Sequence, residues 1–429
     1  MFGYQAIHEM TLLGKEFTSN FFAIGDSKLY AYYQGCSEGG RDGWSQVQRF
    51  PGRMLSPVSS ETPANDQIVL DGAITGAPAF RFSHQQIQHL WSNVVEQNLG
   101  YYPSSCEFAA ITNATIAQCD ALDGKTDGVV SRSDLCKLHL DYRKMVGIKY
   151  SCPASAGGFG VAPSLAQNGT VTAQGVAVAA AINGGIKDDN GNQVYLSYQP
   201  AAVSFADGAT AYNSATGEFE LSVNSMGSTF VTRFIELLDT DTFTTFANVT
   251  GSTLRDWILE GWQMYEDTLQ TTWPDLTEFQ AAGGKVLHFH GESDNSIPTA
   301  SSVRYYESVR SVMYGHMSFK ESSAALAEWY KLYLVPGAAH CSTNSLEANG
   351  PFPQTNLAVM IDWVENGVEP ITLNATHLAG DSVGTNAQIC AWPLRPLWVD
   401  HSTNPTCVYD QASIDTWMYD LDAFKLPVY

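Results

Sequence analysis

A serine lies in a glycine-rich turn near the start of the chain. Residues 35–39 read Gly-Cys-Ser-Glu-Gly, so Ser37 has glycines two positions before and two positions after it. A β-prone aromatic segment, 28–34, precedes the turn, and helical sequence around 44–49 follows it. A strand–turn–helix of this kind lifts a nucleophilic hydroxyl above a sheet. We therefore predict that Ser37 is a nucleophile and that the amide of Glu38 contributes to an oxyanion hole; the alternative is a glycine turn with an incidental serine.

A general base and its acid follow late in the chain. In α/β-hydrolases the order is serine, acid, histidine, with the acid and the histidine each on a loop after a late strand. Asp294 comes just after a predicted strand at 285–290, and His340 comes just after a second predicted strand at 330–335. His340 would take the proton of Ser37 and later protonate the leaving alcohol, while Asp294 fixes the imidazole tautomer.

Three other side chains compete for these roles. Glu292 is the competing acid, but it lies nearer the end of its strand than Asp294. His288 and His290 lie within the predicted strand and precede both acid candidates, so we interpret both as structural histidines.

Two cysteines flank the candidate catalytic residues. Cys36 immediately precedes Ser37, and Cys341 immediately follows His340. If the serine and the histidine share a hydrogen bond, their neighbours come within disulfide reach. We therefore predict a Cys36–Cys341 disulfide, against the alternative of two unrelated structural cysteines.

An acidic loop carries a second possible chemistry. Asp120, Asp123 and Asp127 lie in a glycine-containing segment whose spacing is not that of an EF-hand. Three carboxylates with nearby backbone carbonyls could form an oxygen shell for calcium. From the residues alone, a plain Asp/Gly surface turn is an equally open interpretation.

The elements that must position these residues alternate between strand and helix. Strand-like segments occur at 28–34, 71–79, 285–290 and 330–335, and helical patterns occur at 5–22, 82–99, 300–313 and 355–366. This alternation predicts an α/β fold with a parallel sheet and helices on both faces. Between residues 106 and 280 little alternation is visible, and short Gly/Asn/Asp/Ser-rich stretches are frequent. We predict a catalytic domain of residues 1–105 and 281–429 with residues 106–280 inserted as a lid.

Composition excludes several classes of partner. The 429 residues include 44 acidic and only 22 basic ones, giving a net charge of −22. Such a charge repels phosphate backbones and anionic membranes, so we predict no nucleic-acid and no membrane partner. No run of about 18 apolar residues occurs either.

Cysteines and glycosylation motifs indicate an extracellular protein. The eight cysteines include no CxxC pair, which favours four disulfides over a zinc or redox motif. N-x-[ST] motifs occur at Asn113, Asn168, Asn248 and Asn374. We predict secretion and glycosylation, although the first residues lack the basic start and apolar run of a signal peptide.

These motifs resemble the fungal tannase and feruloyl esterase family over nearly the whole chain. The likeness includes GCSEGGR at 35–41, DGAITGAPA at 71–79, CDALDGKTDGVV at 119–130, HGESDNSIP at 290–298 and VPGAAHC at 335–341. The stretch 260–298 is closer to the fungal tannases than to the feruloyl esterases. The resemblance implies an α/β-hydrolase with a large lid and no organic cofactor. It also implies a small phenolic ester as substrate, in tannases a galloyl ester or depside.

The same resemblance implies further site residues. It implies a structural calcium ion in the lid. Its ligands would be the side chains of Asp120, Asp123 and Asp127 and the backbone carbonyls of Lys125 and Val129. It also implies the pairs Cys119–Cys136 and Cys390–Cys407, which leave Cys106 to pair with Cys152.

The early position of Ser37 leads to a further expectation. About 35 residues precede it, too few for the early strands that α/β-hydrolases place before the nucleophile. We therefore expect the early strands and the second oxyanion donor to be missing, and an N-terminal segment to be a possible partner. This leaves open a truncated, non-catalytic hydrolase-like chain, and separately a feruloyl esterase acting on hydroxycinnamate esters.

Overall fold

The computed structural model describes residues 3–25, 27–51, 70–154, 165–399 and 402–429. Its helices, in chain order, are α1 Gln5–Phe21, α2 Glu38–Arg49, α3 Phe82–Gln88, α4 Trp91–Leu99, α5 Ser105–Cys119, α6 Ser133–His139, α7 Ala173–Asn183, α8 Ser225–Thr229, α9 Gly251–Tyr265, α10 Thr277–Ala281, α11 Ala300–Tyr314, α12 Phe319–Ala327, α13 Asn356–Asn366 and α14 Gln411–Asp415. Its strands are β1 Tyr32–Cys36, β2 Gly72–Gly76, β3 Lys149–Cys152, β4 Gln167–Thr170, β5 Ala211–Asn213, β6 Glu218–Glu220, β7 Lys285–Gly291, β8 Tyr330–Val335, β9 Pro351–Phe352, β10 Thr372–His377, β11 Asn386–Cys390, β12 Arg395–Leu397 and β13 Thr406–Val408.

The central sheet is parallel and has the order β1-β2-β7-β8 among the described residues. Each neighbouring pair runs parallel, with Cys36 opposite Gly76, Gly76 opposite Phe289, and Gly291 opposite Val335. The carboxyl ends of all four strands therefore lie at one edge of the sheet. In open α/β sheets this edge is where ligands bind.

Both faces of the sheet are covered by apolar side chains, as the strand–helix alternation predicted. On one face Val286 and Leu332 pack in a large core with Trp44 of α2 and Val303 of α11. On the other face the alternate strand residues pack against α13, where Met360 lies in the same cluster. Because both faces are covered, β2 and β8 are buried at every position.

The segment between β2 and β7 is built mainly from helices and two short hairpins. It contains the hairpins β3–β4 and β5–β6 and all helices from α5 to α10. Much of its apolar surface belongs to the core of the sheet layer, because Phe108, Leu196 and Phe230 lie in the same apolar cluster as Trp44 and Val286. Two smaller clusters, around Ile111 and Ile116, lie within the segment itself.

Two elements differ from the sequence predictions. The helix predicted at 82–99 is two helices, α3 and α4, separated at residues 89 and 90. Helix α1 forms as predicted, but it has no buried residue, and its apolar side chains Leu13, Phe17 and Phe21 are largely exposed. Within the described part of the chain, no helix has both the length and the apolar character needed to cross a bilayer.

Candidate active site

Ser37 lies in a strained turn between β1 and α2. Its backbone has φ 64° and ψ −123°, a conformation that non-glycine residues rarely adopt. The amide of Ser37 donates to the carbonyl of Gly76 on β2 (2.9 Å). A Cβ on Gly35 would lie 2.5 Å from the carbonyl oxygen of Gly39, and one on Gly40 would lie 2.4 Å from the Gly76 carbonyl oxygen. Gly35 and Gly40 therefore make the turn possible, whereas a Cβ on Gly39 would meet only an ordinary contact.

Glu38 is the first residue of α2, directly after the serine. The first amides of a helix have no intrahelical acceptor, and they carry the positive end of the helix dipole. The amide of Glu38 is therefore available to an oxyanion beside Ser37. The Glu38 carboxylate, which is partly exposed, forms an ion pair with the buried guanidinium of Arg41, one turn further along α2 (2.7 Å).

The structure brings Asp294 and His340 together. Asp294 lies three residues after β7, and His340 lies five residues after β8, so both occupy the carboxyl edge of the sheet. Nδ1 of His340 is 2.8 Å from Oδ2 of Asp294. Oδ1 of Asp294 accepts the amides of Ser296 (2.8 Å) and Ile297 (2.9 Å). Each carboxylate oxygen is therefore bonded, and the acid has one orientation.

The pKa shifts of Asp294 and His340 suit an ionised carboxylate that supports a histidine base. Burial alone would raise the pKa of Asp294, which is 0% exposed, but the hydrogen bonds from His290 and His340 hold it well below its usual range. Burial alone would lower the pKa of His340, yet the hydrogen bond and charge of Asp294 raise it. The carboxylate therefore stays ionised and stabilises an imidazolium at residue 340.

A disulfide joins the residue before Ser37 to the residue after His340. Cys36 and Cys341 are bonded, with their Cα atoms 6.1 Å apart, which ties the residues beside Ser37 and His340 across the sheet edge. Nε2 of His340, the nitrogen not bonded to Asp294, lies 3.8 Å from Sγ of Cys341. Among the described residues, no hydrogen bond joins Ser37 Oγ to this nitrogen. Such bonds are often long before substrate binds and tighten in the complex.

The competing acid has a different environment. Both oxygens of Glu292 lie 2.6 Å from Nη2 of Arg395, and Ser133 also donates to this carboxylate. Arg395 in turn pairs with Asp134. Glu292 thus belongs to a buried ionic cluster and is not a partner of His340.

The sequence interpretation of His290 missed a contact with the candidate acid. Nε2 of His290 is 3.0 Å from Oδ2 of Asp294, the same oxygen that His340 contacts. Nδ1 of His290 is 2.7 Å from Oγ of Ser302, which is 2.8 Å from Nε2 of His288. The four-residue spacing between His290 and Asp294 was the signal in the sequence, because it places both at the same strand end.

A second buried cluster supports the same loop from the helical segment. Tyr198 donates to Asp207 (2.7 Å) and reaches the carbonyl of Ser296 (3.3 Å). Asp207 also binds Nδ1 of His89 (2.8 Å), at the break between α3 and α4. The loop that carries Asp294 is therefore held from both the sheet and the helical segment.

The carboxylates of the acidic loop accept hydrogen bonds mainly from backbone amides of the same loop. Oδ1 of Asp120 accepts two amides at 3.0 Å, and Asp127 accepts the amide of Val129 (3.1 Å) and pairs with Nζ of Lys125 (2.6 Å). Oδ2 of Asp123 is buried and accepts no hydrogen bond from a described residue. Across the described ranges, no group of three or more His, Cys, Asp or Glu side chains is arranged to hold a metal.

The remaining predicted residues lie at the surface or in disulfides. Cys106 is bonded to Cys152, Cys119 to Cys136, and Cys390 to Cys407, the same pairs as in the sequence prediction. Cys119–Cys136 brackets the acidic loop. Of the four predicted glycosylation sites, Asn374 is half-buried. The other three are exposed, namely Asn113, Asn168 and Asn248.

Comparison with known proteins identifies the family. The family model described as tannase and feruloyl esterase matches residues 1–414. A tannase of Aspergillus oryzae is 51% identical over 450 aligned residues, covering 100% of this chain and 73% of the relative. A probable feruloyl esterase of Arthroderma benhamiae is 28% identical, covering 96% of this chain and 68% of the relative.

Solved structures give the same result. The tannin acyl hydrolase from Aspergillus niger superposes with a TM-score of 0.92 at 54% identity, over 100% of this chain and 73% of that one. Feruloyl esterase B from Aspergillus oryzae superposes with a TM-score of 0.70 at 26% identity, over 95% and 74% of the two chains. This chain therefore belongs to the tannase and feruloyl esterase family of carboxylic ester hydrolases.

Proposed function

We propose that this chain is a serine esterase that hydrolyses galloyl esters and depsides of tannins through Ser37, His340 and Asp294. The observation that carries the proposal is the bonded pair of His340 and Asp294 at the sheet edge, tied to the residue before Ser37 by the Cys36–Cys341 disulfide. Nucleophile, base and acid then occupy one cluster, although they lie far apart in the sequence.

The chemical steps follow from the roles of these groups. Nε2 of His340 accepts the proton of Ser37 as Oγ attacks the ester carbonyl, and Asp294 stabilises the imidazolium that forms. The amide of Glu38 donates to the oxyanion of the tetrahedral intermediate. The imidazolium then protonates the leaving alcohol, which gives an acyl-enzyme on Ser37. Water, deprotonated by His340, hydrolyses this ester and releases the phenolic acid.

The preference for gallate is supported by the degree of similarity. Identity is 51–54% to a tannase and a tannin acyl hydrolase, against 26–28% to feruloyl esterases. The alternative substrate class is a hydroxycinnamate ester such as a ferulate. The second alternative is a hydrolase-like chain without turnover of its own.

A comparison of two model esters separates these readings. We expect kcat/KM for methyl gallate to exceed that for methyl ferulate, and Ser37→Ala to abolish both. A higher value for methyl ferulate would make the chain a feruloyl esterase. Absence of turnover with either ester, in a protein that is folded by circular dichroism, would leave the non-catalytic alternative.

We also propose that residues 120–129 hold a structural calcium ion. The ligands would be the carboxylates of Asp120, Asp123 and Asp127 and the carbonyls of Lys125 and Val129. The unbonded, buried oxygen of Asp123 supports the proposal, because a buried carboxylate oxygen without a partner is costly. When bound, the ion would neutralise these carboxylates and hold the loop in one conformation, a structural role. A chelator should lower Tm in the wild type and have less effect in Asp123→Asn; an unchanged Tm would refute the site.

The domain division is a further proposal. All four strands of the parallel sheet fall in residues 1–105 and 281–429, and residues 106–280 contribute none of them. This supports a catalytic domain with an inserted lid that covers the sheet edge. Gallate binding should then increase protection from hydrogen exchange within residues 106–280, with little change in α13 on the opposite face.

Secretion and glycosylation complete the proposal. Four disulfides support an oxidising compartment, and the exposed asparagines of the N-x-[ST] motifs are accessible to glycosylation. Peptide-N-glycosidase treatment of the protein from a eukaryotic host should reduce its mass. Unchanged mass would remove glycosylation from the assignment.

A further inference from the structure

A chain of buried hydrogen bonds runs from the sheet core to the candidate acid. The hydroxyl of Tyr330 on β8 is 2.9 Å from Nδ1 of His288, and Nε2 of His288 is 2.8 Å from Oγ of Ser302. Oγ of Ser302 is 2.7 Å from Nδ1 of His290, whose Nε2 is 3.0 Å from Oδ2 of Asp294. All five residues are 0% exposed, so no bulk water competes for these bonds.

The direction of donation follows from the Asp294 end. Asp294 is an ionised carboxylate and can only accept, so Nε2 of His290 carries a proton; in the neutral ring Nδ1 is then a lone pair. Ser302 must then donate to His290 and accept from Nε2–H of His288. This leaves Nδ1 of His288 as an acceptor.

The other end is compatible with the same tautomers. Burial raises the pKa of Tyr330 well above its ordinary value, so its hydroxyl keeps its proton and is able to donate to Nδ1 of His288 (2.9 Å). Burial also lowers the pKa of His288, which keeps this ring neutral. All donors in the chain thus point towards Asp294, and the last of them, Nε2–H of His290, is shared between Oδ2 of Asp294 (3.0 Å) and the carbonyl of Ile297 (3.1 Å).

We infer that His290 is a positioning residue for the proposed reaction, delivering a fixed N–H to Asp294 and thereby setting the basicity of His340. The inference rests on the proposed function, since it concerns the acid of the proposed triad. His290 and His340 donate to the same oxygen, Oδ2. A carboxylate that already accepts one N–H is a weaker acceptor for the second. His290 therefore limits how strongly Asp294 stabilises the imidazolium of His340.

Two kinds of ionisable group lie around the acid, those that contact it and those that contact its loop. Glu347 accepts a hydrogen bond from Ser293, next to Asp294, and burial raises the pKa of Glu347 to about 7, so Glu347→Gln is needed as a control in the titration. His290 and His340 contact Asp294 directly, from the strand side and from the loop after β8. Tyr198 faces the loop from the helical segment and hydrogen-bonds Asp207. Burial, and next the charge of Asp207, raise the pKa of Tyr198, so its phenol remains neutral. The His290 contact is thus separable from these groups by substitution.

The test measures the titration of His340 without requiring turnover. The downfield proton NMR signal of its Nδ1–H is followed against pH in the full chain. In His290→Leu, which removes the N–H, we expect the pKa of His340 to rise by about 0.5–1 unit. In His290→Gln, whose amide NH2 can replace Nε2–H, the pKa should return towards the wild-type value.

A matched control distinguishes positioning from packing. His84 is also a fully buried histidine, but its ring nitrogens bond to no described residue. His84→Leu removes a buried imidazole of the same size without breaking a hydrogen bond, so it should not move the titration of His340. In kinetics on methyl gallate, His290→Leu should move the acid limb of kcat/KM to higher pH. Below that limb kcat should fall by about 3- to 10-fold with little change in KM, because less of His340 is neutral there.

Ser302→Ala keeps the test decisive if His290→Leu does not fold. It breaks the chain one link earlier, so it should move the titration of His340 in the same direction by a smaller amount. Identical titrations in wild type and both variants, or an equal shift in His84→Leu, would overturn the inference. Failure of the proposed function gives a different result: activity that survives in Ser37→Ala, whatever the titration shows.

Discussion

The serine and the acid of the proposed triad are held in place in different ways. Ser37 is positioned by covalent and steric means: a strained φ, glycines whose Cβ atoms would clash, and a disulfide to the residue beside His340. Asp294 has ordinary flanking geometry but is buried and receives four hydrogen bonds. The serine can therefore remain half-exposed to a substrate, whereas the acid depends on exclusion of water.

A change at Asp294, the residue held by hydrogen bonds, should give the largest loss of activity. Asp294→Asn keeps the volume but loses the charge and favours the wrong imidazole tautomer, so kcat should fall by about 10⁴-fold. Asp207→Asn is the matched control, because Asp207 is also a buried carboxylate bonded to a histidine. If both variants lost activity equally, Asp294 would have only a structural role. Steady-state kinetics on methyl gallate measure the difference.

The disulfide is the next largest contribution. Replacing Cys36 and Cys341 together by alanine should lower kcat by about 10- to 100-fold, because small misplacements of reacting groups are costly. Replacing Cys106 and Cys152 together is the control, since this bond lies in the helical segment, away from Ser37. Both double variants should lose about 2–4 kcal/mol of unfolding free energy. A loss of kcat in the control as large as in the Cys36–Cys341 variant would contradict the positioning role.

Two glycines test the steric part of the comparison. Gly35→Ala places a Cβ 2.5 Å from the Gly39 carbonyl oxygen and should cost about 1–3 kcal/mol of stability, with loss of activity. Gly39→Ala meets nothing closer than 3.7 Å and lies within α2, so it should be tolerated. Thermal unfolding followed by an activity assay would compare them, and equal stabilities would show that the turn does not need glycine at 35.

The pH profile gives the smallest and most specific effect. Only neutral His340 can accept the Ser37 proton, and Asp294 raises the pKa of His340 above its ordinary value of 6.5. Activity should therefore fall as pH decreases through this raised pKa. In Asp294→Asn the carboxylate that raises the pKa is gone, so the limb of the residual activity should move to lower pH. An unmoved limb would mean that another group controls it.

Sequence reasoning could predict the candidate site because the features that point to it are local. The glycine turn, the strand ends before Asp294 and His340, and the cysteines beside the serine and the histidine are all legible in short stretches. Parallel strands then bring these ends to one edge without further information. The Cys36–Cys341 pairing followed from the chemistry of a Ser–His contact.

The features that sequence reasoning missed depend on how loops fold back and on which side chains then meet. His290 meets Asp294 only because the loop after β7 folds back onto its own strand, where Thr299 bonds the carbonyl of Gly291 (2.7 Å). The break between α3 and α4 coincides with His89, which binds Asp207 118 residues away. Just before β1, the amide of Ala31 donates to the carboxylate of Asp71 (2.8 Å), while the amide of Asp71 donates to the carbonyl of Ala31 (2.8 Å).

The apolar cluster shared by the sheet layer and the helical segment has a consequence for how the molecule loses its structure. Phe108, Leu196 and Phe230 are surrounded by the same side chains that cover the strands. If either layer detached, it would expose large apolar surfaces on both, so partial opening is strongly disfavoured. Heating should therefore give one cooperative calorimetric transition, and the cap-like segment should not survive as an excised polypeptide.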